Sequence, residues 1–242
     1  MQLKFVTACA VAGLFFLNSC NSGGEKKTEA TTKDTTTVEK KDTMPPAKPA
    51  KPSNLVVMRH KVANYSKWLP AYEGHDSVRR AYGIHNYILG RDLDDSNMVT
   101  VSMIMDDAAK AKEFAALPNL KDAMKKGGVT GTPTMQYLDV QMLDTTAQVG
   151  PMRLRVTHKV KDWDTWKKAF DSHKQARVDA GLSDRVIAYD VDDHSIVTIV
   201  MAVSDLAKAK AFSTSKDLKD KMAEGGVIGA PTIVWYHIVK KY

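Results

Sequence analysis

The chain repeats itself. Residues 60–140 and 158–238 align at a constant offset of 98 without a gap. His60-Lys61-Val62 falls on His158-Lys159-Val160, Trp68 on Trp166, His75 on His173 and Arg79 on Arg177. The stretch Gly127-Gly128-Val129-Thr130-Gly131-Thr132-Pro133-Thr134 falls on Gly225-Gly226-Val227-Ile228-Gly229-Ala230-Pro231-Thr232. Roughly a third of paired positions are identical, enough to mark a duplication. Whatever one copy folds into, the chain holds two, over 54–150 and 151–242, and each is available to cover what the other leaves bare.

The second copy is the easier to read. Leu154, Val156, His158 and Val160 alternate with Arg153, Arg155, Thr157 and Lys159, and period two predicts a strand. Trp163, Trp166, Phe170, His173 and Arg177 recur at spacings of three and four, a helix stripe ended by Gly181. Val186 to Asp190 predicts a second strand and Asp192-Asp193 a turn. Ile196 to Val203 is a continuous apolar run, as in a strand buried on both faces. A second helix runs from Ser204 or Asp205 to about Glu224, broken near Ser215. In the first copy Pro118 stands at that break, where proline suits a first turn. Gly225-Gly226 stops the helix, and Thr232 to Val239 is the last strand.

Strand, helix, strand, strand, helix, strand is the split βαβ pattern of a ferredoxin-like unit, with both helices on one face of an antiparallel sheet. Its other face cannot stay wet. At ~25 cal/mol per Å², exposing several hundred Å² of sheet forfeits on the order of 10 kcal/mol. The expected fold is therefore α+β, two βαββαβ repeats packed sheet to sheet.

The N-terminus reads differently. Met1 to Lys4 is short and basic, Phe5 to Leu17 nearly unbroken apolar, and Leu17-Asn18-Ser19-Cys20 closes the run. A run of about 13 residues is too short for a stable span and suits a signal-peptide core over 1–19. The last four residues resemble a bacterial lipoprotein lipobox, with Asn18 less usual in its slot. That resemblance implies cleavage before Cys20, acylation of Cys20, and membrane attachment through several chains at ~0.8 kcal/mol per buried methylene. The chain has two cysteines, and Cys9 leaves with the signal, so no intrachain disulfide is expected. Residues 20–53, rich in Lys, Thr and Pro, read as a disordered tether. Asn21 is not the aspartate associated with inner-membrane retention in some bacteria. The expected location is the cell envelope, at the outer rather than the inner membrane.

Charge excludes one class of partner. Of the formal +7, Lys4 supplies +1 and the tether, with seven Lys against five acidic residues, +2, leaving +4 for residues 54–242. The lysines there (Lys110, Lys112, Lys121, Lys125 and Lys208, Lys210, Lys219) spread along helix faces. No Arg-rich cluster interleaved with aromatics suggests nucleic acid.

Two such units looked at together resemble a dimeric α+β barrel of the antibiotic-biosynthesis-monooxygenase and related superfamilies. The marks are the His-Lys-Val strand, the helix with Trp and His, and the Gly-Gly-Val-x-Gly-x-Pro-Thr stretch. The resemblance covers residues 54–242 and implies that this chain supplies both halves of the barrel itself, as a monomer.

The candidate site follows from the helix stripes. Tyr65, Trp68, Tyr72, His75 and Arg79, matched by Trp163, Trp166, Phe170, His173 and Arg177, are expected to face the sheet. His60 and His158 lie on the strand face with Met58 and Val62, or Val156 and Val160. If that face meets the helices, each copy gathers two histidines, an aromatic pair and an arginine in a mostly apolar pocket, the usual form of a small-molecule site. The alternatives stay open. His60 and His158 can be core histidines bonded to backbone, and His75 and Arg79 can pair with Asp76 or Asp179-type neighbours at a wet edge. Trp68 and Trp166 can be core anchors.

Two histidines per copy fall one or two ligands short of a typical zinc or iron site, with Asp92 and Asp190 as the carboxylates to complete it. No metal is assigned. Related barrels bind haem through a helix histidine, which would make His75 or His173 the axial candidate, but no cofactor is assigned either. The glycine-rich stretch ends a helix and enters a strand, the reverse of a phosphate loop, and reads as a helix stop with a tight turn. There is no cysteine nucleophile, Gly-x-Ser-x-Gly elbow or evident carboxylate pair.

The resulting expectation is a tethered lipoprotein binding a small hydrophobic or aromatic compound in two equivalent pockets. The resemblance implies an alternative, a cofactor-free monooxygenase deprotonating its substrate near His75 or His173. Members of that kind use particular Asn, Trp and Tyr residues; Trp68, Trp166 and Tyr72 match by type, and Phe170 breaks the Tyr in the second copy. A purely structural or interaction module is the third reading.

Overall fold

A computed structural model describes residues 52–146 and 150–242. The signal segment, Cys20 and the tether through residue 51 lie outside them. The first half runs β1 (Asn54–Val62), α1 (Tyr65–Gly74), α2 (Asp76–Ala81), β2 (Ile84–Asp92), β3 (Met98–Met105), α3 (Ala108–Ala115), α4 (Pro118–Lys126) and β4 (Val129–Leu143). The second runs β5 (Met152–Val160), α5 (Trp163–Ser172), α6 (Lys174–Asp179), β6 (Leu182–Asp190), β7 (Ile196–Val203), α7 (Leu206–Ser213), α8 (Lys216–Glu224) and β8 (Val227–Lys241).

Local chemistry starts these helices where the spacing predicts. Asn64 and Asp162 accept hydrogen bonds from the backbone N–H of Lys67 and Thr165, capping α1 and α5. Asp107 and Asp205 do the same for α3 and α7. Ser215 caps α8, whereas Pro118 stands in the first turn of α4, where its missing N–H needs no partner.

Strand order places the halves. All eight strands form one closed antiparallel barrel, β1-β3-β2-β8-β5-β7-β6-β4. Each half contributes the order 4-1-3-2 of a ferredoxin-like unit, and the seams are β2 with β8 and β4 with β6. The long strands make those seams. β4 pairs β1 through Leu138 and then β6 from Leu138 to Leu143. The single-chain dimeric α+β barrel expected from the sequence is therefore the fold, and with every strand paired on both sides no sheet edge is left open.

Alternation sorts side chains into helix-facing and lumenal sets. In β1, Val56, Met58 and Val62 join the helix-side core, while Leu55 and Val57 join the cluster inside the barrel. In β7, Val197, Ile199, Met201 and Val203 face the helices, and buried Thr198 lines the lumen. That double burial explains the unbroken apolar run.

Two expectations need correction. The helix predicted through Arg177 breaks at His173, as its counterpart does at His75, each histidine ending one helix and starting the next. The glycine-rich stretch is a bulge inside a longer strand rather than a turn before one. Thr157 pairs with Thr232 and Lys159 with Ile228, so Gly229 at φ +72° absorbs the extra residues without ending the pairing. Arg153 and Arg155, on the other face of β5, are both buried, because that face is the barrel interior.

Candidate functional site

The structure brings the sequence-predicted residues into two cavities between helices and sheet. In the second half His158, Trp166, Phe170, His173 and Arg177 line a cavity of about 80 Å³, with Phe212, Met222 and Ile199 among its apolar walls. In the first half His60, Trp68, Tyr72, His75 and Arg79 line a smaller one of about 40 Å³. The cavities are related but unequal, correcting the expectation of equivalent pockets.

The histidines on the strands are the same in both. His60 and His158 are 2% and 6% exposed, and neither ring nitrogen of either has a hydrogen-bond partner among the described residues. The reading of core histidines bonded to backbone therefore fails: alternation turns each ring away from its own strand's ladder and towards the tryptophan opposite. His60 lies 5.4 Å from Trp68 and His158 5.6 Å from Trp166, centroid to centroid. Burial pushes both imidazoles down to about 4, so both are neutral near pH 7. Behind them the stacks continue, Trp68 on Tyr72 at 4.9 Å and Trp166 on Phe170 at 5.0 Å.

The helix-side polar groups have diverged. Arg177 is saturated: its Nε and Nη2 donate to Asp184 at 3.0 and 2.9 Å, its Nη1 donates to the Phe170 carbonyl at 2.6 Å, and it covers the Phe170 ring at 3.5 Å. Its partner is Asp184 of β6 rather than Asp179, which bonds Gln175. Arg79 lies over the Tyr72 ring at 4.0 Å, with its nearest carboxylate, Asp76, at 3.7 Å. Its Nε and Nη2 make no hydrogen bond. The Tyr72 hydroxyl donates to Asn86 Oδ1 at 2.5 Å, and Asn86 Nδ2 donates to Asp76 Oδ1 at 2.7 Å. Burial raises the Tyr72 phenol far above its ordinary value, so it acts as a donor.

His173 Nε2 is 2.7 Å from Asp217 Oδ2 at the rim, its ring 5.5 Å from Phe212. Among the described residues His75 bonds no such carboxylate, and its buried Nδ1 lacks a partner. Asn86, Asp184 and Asp217 were missed by sequence reasoning. The signal for the first two was available, since Asn86 falls on Asp184 at the same offset of 98.

Metal and haem do not fit these residues. Among the described residues no group of three His, Cys, Asp or Glu side chains could hold a metal ion. Asp92 bonds Arg59, and Asp190 accepts from the Asp192 and Asp193 backbones, so neither completes a histidine set. Cavities of about 80 and 40 Å³ leave no room for a macrocycle.

Comparison with known proteins gives the fold. The chain is similar to an anthrone oxidase-like protein at 13% identity and TM-score 0.53, covering 79% of this chain and 93% of that one. It is similar to a candidate monooxygenase from Lactobacillus acidophilus NCFM at 12% identity and TM-score 0.50, covering 76% and 93%. A candidate chlorite dismutase matches at 12% identity and TM-score 0.50, covering 78% and 96%. No family model and no curated protein matches.

Proposed function

We propose that the chain binds a small hydrophobic or aromatic molecule between helices and sheet, foremost in the second half. His158 supplies the hydrogen bond and Trp166 and Phe170 the apolar wall. The observation that carries this is the His158 ring, buried with both nitrogens unpartnered beside a cavity. An unsatisfied buried polar group is unfavourable by roughly 1–3 kcal/mol, which a ligand hydroxyl or carbonyl would recover. The cavity, at about 80 Å³, is smaller than the ~150 Å³ that accepts benzene. Entry therefore requires Phe212 and Met222 to swing outward. Titration with 2-naphthol, followed by calorimetry, is expected to show saturable binding that weakens about tenfold in His158→Leu. Equal binding by that variant overturns the assignment.

A second reading is oxidation of an aromatic substrate in the first half, favoured by Trp68 stacked on Tyr72 and Asn86 bonded to the Tyr72 hydroxyl, the residue types that the family resemblance implies. His60 is an unsuitable base for it. A base near 4 lies about six units below a phenol, roughly 8 kcal/mol uphill, which leaves His75 to take the proton. Oxygen uptake with a quinol, lost in Asn86→Ala and in His75→Ala, supports this reading, and no uptake removes it.

The attachment belongs to the same proposal. Cys20 carries the lipid and holds the barrel at a cell-envelope membrane, the outer one favoured. A Cys20→Ser variant is expected to appear in the soluble fraction without fatty-acid label.

A further inference from the structure

The largest of the three cavities described is inside the barrel rather than beneath the helices. It measures about 270 Å³, and its two walls differ in chemistry. The first half contributes Leu55, Val57 and Leu138; the second, at the positions 98 residues on, contributes Arg153, Arg155 and Tyr236. The copies that preserve their helix-side histidines and tryptophans have thus exchanged an apolar lumenal wall for a basic, aromatic one.

Arg155 is the telling residue. It is 8% exposed, lines the cavity, and receives no hydrogen bond acceptor or ion-pair partner from any described residue. The nearby carboxylate, Asp92, bonds Arg59 rather than Arg155. Arg153 and Arg185 line the same cavity and are otherwise engaged, Arg153 on the Gly150 and Met152 carbonyls and Arg185 on Asp144. Burial holds the Arg155 guanidinium below its ordinary value; Tyr236 and Asp92 oppose that shift and Arg59 adds to it. A desolvated cation of this kind is poor for stability, and an apolar side chain of similar volume usually serves the fold as well or better.

We infer that the barrel lumen is a second binding site, for a small carboxylic acid with an apolar body, its carboxylate on Arg155 and its body against Leu55, Val57 and Leu138. Guanidinium and carboxylate match as a fork, and the adjacent Tyr236 and Tyr87 offer hydroxyl donors. The space exceeds the ~150 Å³ cavity that holds benzene, so acids the size of benzoate or octanoate are of suitable bulk. Asp144, Thr145 and Lys241 also line the cavity.

The test is calorimetry on the barrel with benzoate and octanoate, each against its alcohol, for the native chain, Arg155→Met and His158→Leu. One lumenal site is expected, with the acid binding on the order of 10- to 100-fold tighter than the alcohol. That preference disappears in Arg155→Met and stays in His158→Leu, which separates this site from the helix-side one. Should Arg155→Met fold poorly, the native chain decides alone: benzoate raises its melting temperature and benzyl alcohol does not. Equal affinity for acid and alcohol, no binding of either acid, or full acid affinity in a folded Arg155→Met overturns the inference.

Discussion

Gly90 of β2 lies flat against the ring of Tyr236 of β8: a Cβ on Gly90 would fall 2.3 Å from Tyr236 Cδ2 and 2.8 Å from Cε2. This contact is part of the seam between the halves, where Gly90 pairs with Ile238. At the other seam the equivalent positions hold Ala188 and Leu138, which share the lumenal cluster. Glycine goes with the large ring and alanine with the smaller side chain.

Gly90→Ala is expected to destabilise the barrel by about 1–3 kcal/mol through overpacking. Adding Tyr236→Leu, which recreates the pairing of the other seam, is expected to recover most of that loss. Urea unfolding of the two variants measures it; a loss that persists undiminished in the double variant would locate the strain elsewhere.

The exchange of Asn86 for Asp184 yields a second contrast. Arg177 and Asp184 are a buried, two-pronged pair, so Asp184→Asn is expected to lower stability by about 3 kcal/mol, as for a buried cation stripped of its partner. Arg79 has no bonded carboxylate, and Arg79→Met is expected to be neutral or stabilising. Denaturant midpoints of the two variants should move by clearly different amounts.

Stability should also fall on mild acidification. His60 and His158 sit near 4 in the folded chain and near 6.5 when unfolded. The unfolded state therefore takes up protons first as pH drops. The stabilisation is complete above about 6.5, declines between there and about 4, and levels off below, each histidine accounting for roughly 3 kcal/mol. Carboxylates titrate at the lower end, so the informative quantity is the difference between native and His158→Leu unfolding across pH 7.5 to 4. That difference should shrink the acid-induced loss by about half.

Much of the fold was legible because period is a direct record of burial. The tryptophan and histidine stripes of α1 and α5 face the sheet as spacing implies, and the double run of Ile196–Val203 announces two covered faces. That the second sheet face is covered was legible too, but the space left behind it was not. Arg153 and Arg155 alternate with Leu154 and Val156, and period does not tell how closely a covered face meets its cover. The break at His173 was equally silent, since the stripe keeps its phase across the kink. Asp217, 44 residues from His173, carries no local signal at all.

Closure of the ring within one polypeptide has a chemical consequence. In a barrel made from two identical chains, any residue turned inward arrives twice, related by the dyad, so an arginine at the Val57 position would confront its own image in a dry space. Joining the copies end to end removes that obligation. Here the first copy holds Val57 where the second holds Arg155, and the two flanks of the cavity differ: Leu55, Val57 and Leu138 on one, Arg153, Arg155 and Tyr236 on the other.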